Sequence, residues 1–396
     1  MTFLRILSLL FGTFLALGIL GSALKTVVLP QEGFPRLAQA DFAVVHRLLV
    51  HPWRTQARAK ALRGLYAPVA LVSLPLVWML LMVVAFTFVF WGTGSLTVAQ
   101  AFEISGSSLT TLGFSKPDGT QRIWLAFIEA TIGLGLVALL ISYLPTIFSA
   151  YNSREKGINR LRPVAGAPPQ ATELLRTLHR TGALDRSDFW SVAADWLLDL
   201  EQTHCAFPIL AYFPETQAEH SWVATVGSLL DAAGLVVSAS ETRAGEVFED
   251  VERGPMQILV YGLPLIVRIA RAANVPLPPP VRLPELAAHF TETAPSITIG
   301  RSEYLDAMAS LAPILVIASG QEEEAWRRFA WIRSAYEPAL RALAGLTDAY
   351  PSPWTTDRPA KVGRPRLLRR RPLHVDWSIP AAGVGAPVAG AAATGG

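Results

Sequence analysis

The sequence predicts an all-α membrane protein: an N-terminal span, then two spans enclosing a short re-entrant segment, then a mostly helical domain. Three observations lead there. Of its 396 residues, 51% are hydrophobic and only 16% are charged, against a usual charged share of about 25%. Three stretches before residue 152 approach or exceed the ~20 apolar residues that a helix needs to cross a bilayer. The charge is also uneven: residues 1–150 hold 15 of the 65 Asp, Glu, Lys and Arg, and residues 151–396 hold 50. A lone cysteine, Cys205, excludes an intramolecular disulfide framework and a cysteine zinc cluster, which suits a reducing compartment.

Residues 1–29 form the first span, built on 19 uncharged residues from Ile6 to Leu24. An interfacial helix or a cleaved signal is the alternative for this segment. Residues 30–67 are basic and amphipathic. Leu37, Val44, Val45, Leu48 and Leu49 recur at near-helical spacing beside Arg36, His46 and Arg47, as in a helix lying at the membrane surface or packed on a bundle.

From Pro68 to Phe102 there are 35 residues without a charge, too many for one span. Residues 68–91 suffice for a helix, and the turn from Trp91 to Ser95 breaks it. The next piece, Leu96 to Leu112, is short, rich in Ser and Thr, and ends near a glycine. It reads as a re-entrant helix within 96–116, whose backbone must be buried in protein or line a wet cavity. A third span covers 123–151 and holds one acid, Glu129. An acid inside a span is functional by default. The predicted role for Glu129 is support, hydrogen-bonding Ser105, Ser107 or Ser108 from behind the re-entrant helix, with direct ion contact as the alternative.

Basic residues set the orientation. Seven of them lie in 25–67, and Arg154, Lys156, Arg160 and Arg162 follow the third span, whereas residues 92–121 carry only Lys116. Residues 25–67 and 152–396 are therefore expected on the cytoplasmic side of a cell (inner) membrane, with the re-entrant segment entering from outside.

The order helix, external re-entrant helix, polar turn, helix, together with the turn SSLTTLGFSKP at Ser107–Pro117, resembles the pore domain of the potassium-channel family of prokaryotic two-transmembrane type. The resemblance covers residues 66–155. In such filters, backbone carbonyls replace the ion's hydration shell, successive residues alternate in backbone handedness, and glycines take the positions that other residues resist. Carried over, the resemblance implies an ion-binding filter at Thr110, Thr111, Leu112, Gly113, Phe114 and Ser115. Thr110 closes the pore helix, and Thr111 adds a hydroxyl site. It also implies a hinge at Gly135, 24 residues beyond Thr111, with Pro145 as a second bending point. One loop per chain implies a homotetramer. The filter TTLGFS is degenerate. Ser115 stands where a final glycine is expected, at about 1 kcal/mol if left-handed. Lys116 replaces the usual acid, and Glu103 and Ile104 stand near the usual aromatic pair.

The expected activity is passage of potassium, or of monovalent cations with weak selectivity. The competing expectation is a non-conducting, membrane-anchored sensor or scaffold that keeps the pore fold. Read alone, TTLGF is only a glycine turn between two spans.

Residues 152–170 form a linker containing PVAGAPPQ. Residues 171–349 read as helices over 173–184, 189–202 after an N-cap at Asp185 or Ser187, 217–235, 255–273, 303–317 and 321–346. The stretch QILVYGLPLIVRIA is too short to span and holds Pro264 and Arg268, so it is a buried core helix. No HExxH, P-loop, Gly-x-Ser-x-Gly or paired-cysteine motif occurs, so no enzyme is expected. His204, Cys205, Glu215, Glu219 and His220 lie close in sequence, but read as packing and surface residues rather than metal ligands. Gly133-x-Gly135-x-x-Ala138 lacks the preceding strand of a dinucleotide site. No metal, cofactor or regulatory ligand is implied beyond the permeant cation. Residues 350–396, with RPRLLRRRP at Arg364–Pro372, are expected to be a disordered tail. Its basic cluster suits anionic membrane lipid more than nucleic acid, for which no module is present.

Overall fold

The computed structural model describes residues 2–27, 36–49, 56–184, 186–213, 215, 219–240, 250–278, 293, 295–312, 314–362 and 375–376. The described chain is mostly helical. The membrane half comprises α1 (Thr2–Val27), α2 (Arg36–Leu49), α3 (Gln56–Gly92), α4 (Val98–Leu109) and α5 (Thr120–Ala165). The second half comprises α6 (Ala171–Arg180), α7 (Ser187–Ala206), a 3-10 turn (Pro208–Tyr212), α8 (Trp222–Ala239), α9 (Asp250–Ala272), α10 (Arg301–Ser310) and α11 (Glu322–Thr347). Two short strands, β1 (Lys361–Val362) and β2 (Val375–Asp376), pair antiparallel.

Four helices are long and apolar enough to cross a membrane: α1, α3 from Pro68, α5 and α8. They face different surroundings. In its most apolar window α5 is 17% buried by the chain, whereas α8 is 94% buried, so α8 is the enclosed centre of the second half.

α1 and α3 pack closely and antiparallel through small residues, as helices without a hydrophobic drive between them do. A Cβ on Gly12 would lie 2.5 Å from the Ala85 carbonyl oxygen, and one on Gly92 2.8 Å from that of Arg5. Ser8 Oγ donates to Phe88 O at 2.8 Å. α2 buries Ala38, Asp41, Phe42 and Val45, and leaves Val44 and Leu48 exposed. Burial pushes the Asp41 carboxyl up, and the Ser73 hydroxyl that donates to it at 3.0 Å opposes this.

Several boundaries differ from the sequence reading. α3 begins at Gln56 and passes through Pro68 and Pro75, because the first-turn freedom that proline normally needs is supplied in a long helix by neighbouring packing. α5 does not stop at 151. It runs through Pro145 and on to Ala165, including Pro163, so most of the expected linker is helix that buries Arg154, Glu155, Ile158 and Leu161. Arg186, not Ser187, caps α7, and Asp185 lies outside the described residues. Gly234 is inside α8, not at its end. α10 stops at Ser310, short of the expected 317.

Residues 351–362 correct the expectation of a disordered tail. Ser352, Thr355, Thr356 and Ala360 are buried. Ser352 Oγ donates to Pro169 O at 2.5 Å, and the Ala360 N–H donates to Arg341 O at 2.9 Å. The reason is the polar inventory: Pro/Arg-rich sequence without periodicity still docks when its backbone and guanidinium groups all find partners. Arg364–Pro372 lies outside the described residues.

Two polar networks, the first buried and the second half-buried, hold the second half. Arg333 of α11 donates to Asp231 of α8 and to Trp354 O, and the Tyr336 hydroxyl donates to Asp231 at 2.5 Å. Arg358 binds Glu303 through both terminal nitrogens and also donates to Thr298 O.

Removing one partner of a buried ion pair strands the other charge at a cost of ~3–5 kcal/mol. Asp231→Ala is therefore expected to lower the unfolding midpoint followed by tryptophan fluorescence in detergent, while the paired replacement Asp231→Leu with Arg333→Met recovers most of the loss. The Arg358 hydrogen bonds hold the Glu303 carboxyl below its usual range. That stabilisation is present above the ordinary glutamate value and is lost as pH falls through the depressed one. Hydrogen exchange in 350–360 should accelerate over that fall, and Glu303→Gln should remove the pH dependence.

Candidate functional site

The site is built on α4, a 12-residue helix about 18 Å long, which is too short for a ~30 Å bilayer core. Its start is fixed by a capping box. Thr97 Oγ1 accepts from the Gln100 N–H at 3.3 Å, and Gln100 Oε1 accepts from the Thr97 N–H at 3.0 Å. α4 packs against both α3 and α5, burying Ala101, Ile104, Ser105, Ser107 and Leu109. Phe102 and Glu103 are exposed.

After Leu109 the chain doubles back along the last turn of α4. Thr110 caps the helix, its N–H reaching Gly106 O and Ser108 O. The Thr111 N–H donates to Ser108 O at 3.1 Å, and the Gly113 N–H to Ser107 O at 3.3 Å. The Ser115 N–H donates to Ser107 Oγ at 3.0 Å. Thr111 has φ +56° and Gly113 φ +71°. A left-handed β-branched residue is an outlier that its surroundings must hold in place, and such outliers cluster at functional sites. Leu112, between them, does not share the positive φ, so handedness alternates over 111–113. Ser115 is not left-handed; the alternation ends at Gly113 and the strain expected at Ser115 does not arise. Leu112 and Phe114 are 70% and 68% exposed. Lys116 is exposed, and Pro117 is buried.

Behind the turn, Glu129 is fully buried and its Oε1 accepts from Ser105 Oγ at 2.5 Å. Ser105 Oγ also lies 3.0 Å from Val83 O, so α3, α4 and α5 meet at one hydroxyl. Of the three serines considered for this contact, Ser105 makes it. Four residues along α5, a Cβ on Gly133 would stand 2.2 Å from Leu109 O. Gly133 is thus the close contact between α5 and the end of α4, whereas Gly135 faces open space. At the start of α5, Arg122 donates to Thr93 Oγ1 at 2.8 Å, to Ser95 Oγ at 2.6 Å and to Gly94 O, fixing the 91–95 turn.

Away from its buried stripe, α5 carries two exposed lines. One is small or polar: Thr131, Gly135, Ala138, Ser142, Thr146 and Ser149. The hydroxyls of Thr131, Ser142 and Thr146 donate back to Phe127 O, Ala138 O and Ser142 O of their own helix, so they are satisfied without water. The other line is apolar and recurs every seven residues, at Phe127, Leu134, Ile141 and Phe148. Pro145 is exposed in an unbroken helix.

The far end of α5 is gripped by α7 and the turn after it. Tyr143 meets Phe207, and Phe148 and Tyr151 meet Phe213. Arg154 donates to Leu210 O at 2.9 Å, and Trp196 lies so close to Gly157 that a Cβ there would stand 2.0 Å from its ring. His204 is buried nearby, with Nδ1 3.0 Å from Leu200 O. Burial, reinforced by Arg154, holds its pKa well below the usual histidine value. Among the described residues no group of three or more His, Cys, Asp or Glu is placed to hold a metal ion.

The sequence reading gave Ser107 only an alternative role behind the turn and gave Arg122 none. Both act through side-chain hydrogen bonds to irregular backbone, which leave no periodicity to read.

Loss of the Glu129 acceptor leaves the Ser105 hydroxyl only Val83 O and removes one hydrogen bond between α4 and α5, at ~0.5–1.5 kcal/mol. Glu129→Ala should lower the thermal midpoint in detergent, and Glu129→Gln, which keeps an acceptor, should stay near the parent. No family model, curated protein or solved structure matches this chain.

Proposed function

We propose that the chain is one subunit of a homotetrameric pore-loop channel of the cell (inner) membrane. It passes monovalent cations, potassium or a weakly selective set. α4 and the 110–115 turn enter from outside, and residues 152–396 lie in the cytoplasm. One observation carries the reading: directly after a helix too short to span, Thr111 and Gly113 hold left-handed backbone on either side of Leu112. Alternation of this kind is the backbone pattern by which successive carbonyls can be presented to a dehydrated cation.

Three further observations support it. The antiparallel contact of α1 with α3 puts the start of α1 beside the end of α3, which agrees with basic residues concentrated at one end of the bundle. α5 leaves most of its membrane face uncovered. A second copy against the apolar line, with the small and polar line turned to a central axis, covers it, and one loop per chain then needs four chains. The dipole at the C-terminal end of α4 favours a cation beside the turn.

The second reading, a non-conducting scaffold or sensor, is favoured by Lys116, exposed beside the turn, and by an alternation that stops at Gly113. The same two features favour weak selectivity if the protein conducts.

The test is current across planar bilayers holding the purified protein, in potassium and then sodium, with its mass in detergent. A four-chain particle that conducts is expected. Gly113→Ala forces an alanine into a left-handed position at ~1–2 kcal/mol in each subunit, so current should fall about tenfold or more. A stable monomer, or silence in both ions across voltage, pH and calcium, overturns the proposal. A silent tetramer establishes the scaffold reading instead.

A further inference from the structure

We infer that Ser107 is the positioning residue of the filter, and that its hydroxyl sets the conformation of the filter's outer end. The inference rests on the pore reading above.

Ser107 is 1% exposed on the face of α4 turned to the loop. Its two oxygens hold two amides of the turn: the carbonyl takes the Gly113 N–H at 3.3 Å, and Oγ takes the Ser115 N–H at 3.0 Å. These amides flank Phe114, whose side chain is exposed. The Leu112–Gly113 and Phe114–Ser115 peptide planes are thereby fixed from one residue.

The consequence differs at the two positions. Gly113 reaches Ser107 O with φ +71°, a conformation that glycine adopts freely. Ser115, the first residue past the alternation, has its N–H drawn to Ser107 Oγ and its backbone kept out of the left-handed region. The hydroxyl therefore decides where the alternating stretch ends, and with it how many carbonyls a cation meets before Lys116. A serine is fitted to this work. A helical carbonyl alone reaches one amide, and a hydroxyl at the same residue adds a second acceptor one side-chain length away.

The other buried serine of α4 has a separate task. Ser105 ties α4 to Val83 O and Glu129. The loop is thus held to α4 by Ser107, and α4 to the spans by Ser105.

The experiment compares the full-length protein with Ser107→Ala, Ser107→Thr and, as a control that removes a buried hydroxyl of α1, Ser22→Ala. Two readouts are taken on each: hydrogen exchange of peptides covering 110–117, and the reversal potential under opposed potassium and sodium. Loss of one hydrogen bond of ordinary net strength should speed exchange at the Ser115 amide about fivefold in Ser107→Ala. The potassium-to-sodium permeability ratio should shift by about threefold or more, for a similar free-energy change. Ser107→Thr keeps the hydroxyl and should restore both, and Ser22→Ala should change neither. Oligomer mass should be equal in all four. Unchanged exchange and unchanged reversal potential in Ser107→Ala overturn the inference, as does an equal change in Ser22→Ala. If the parent carries no current, the pore reading fails by itself, and the exchange comparison still decides whether Ser107 holds the turn.

Discussion

The structure depends on one unbroken helix. α5 runs 46 residues, about 69 Å, and α1, α3, α4, α6, α7 and α8 each meet a section of it. Its first turn fixes the 91–95 turn through Arg122, and its next turns carry Glu129 and Gly133 to α4. Its middle passes the mouth of the 207–213 segment, and its end is buried in the second half at Arg154, Ile158 and Leu161. The helix is continuous from the membrane half into the second half, so it is the covalent and mechanical connection between them. The aromatic contacts of Phe207 and Phe213 straddle Pro145, the one place in that section where the helical hydrogen-bond ladder lacks a donor.

The sequence made the helices legible and their ends illegible. Apolar runs marked α1, α3 and α5, and the amphipathic pattern with Pro264 and Arg268 marked α9 as core. The errors share a cause. Residues 152–170 were expected to be linker and α8 to end at 235, yet α5 runs on to Ala165 and α8 to Ala239, because tertiary partners outweigh local preference. Residues 351–362 were read as solvated for lack of a pattern. Their order comes from Ser352, Arg341 and Arg358 bonding to backbone, and polar satisfaction of that kind is specific to a three-dimensional arrangement.

The candidate site divides the same way. Gly113 was legible because a left-handed position restricts which residues fit, whereas Thr111, β-branched and disfavoured there, was singled out only through the resemblance. Glu129 was legible because a carboxyl in an apolar run demands a partner. The choice of Ser105 over Ser107 and Ser108 was not legible, since three hydroxyls within four residues differ only in the helix face they occupy. The strain assigned to Ser115 followed from copying the family's handedness to its last position. The hydrogen bond to Ser107 removes the need for it.

α5 and α8 show what decides whether an apolar helix needs lipid, protein or a second copy around it. Both pass the test of length and composition. α8 carries Thr225, Ser228, Asp231 and Ser238, all buried, and Asp231 finds Arg333 and Tyr336 within the chain. Its polar atoms call for protein on every side, and the chain supplies it. α5 has its carboxyl and close glycine on the covered stripe, and the exposed hydroxyls of Thr131, Ser142 and Thr146 are bonded to its own backbone, so these give the chain no polar reason to cover the rest. An apolar line every seven residues beside a small and polar line is poorly matched to lipid all round. Leu, Ile and Phe sit in hydrocarbon without cost, but a continuous strip of Gly, Ser and Thr gains by facing backbone or water. Under the channel reading both are provided at once, with neighbouring copies on the apolar line and an aqueous axis on the other. Under the scaffold reading only the first is. Small residues equally let the backbones of two copies approach, and the strip's bonded hydroxyls do not need water, so the strip argues for a covered α5 under either reading and leaves the choice between them to the filter and Lys116.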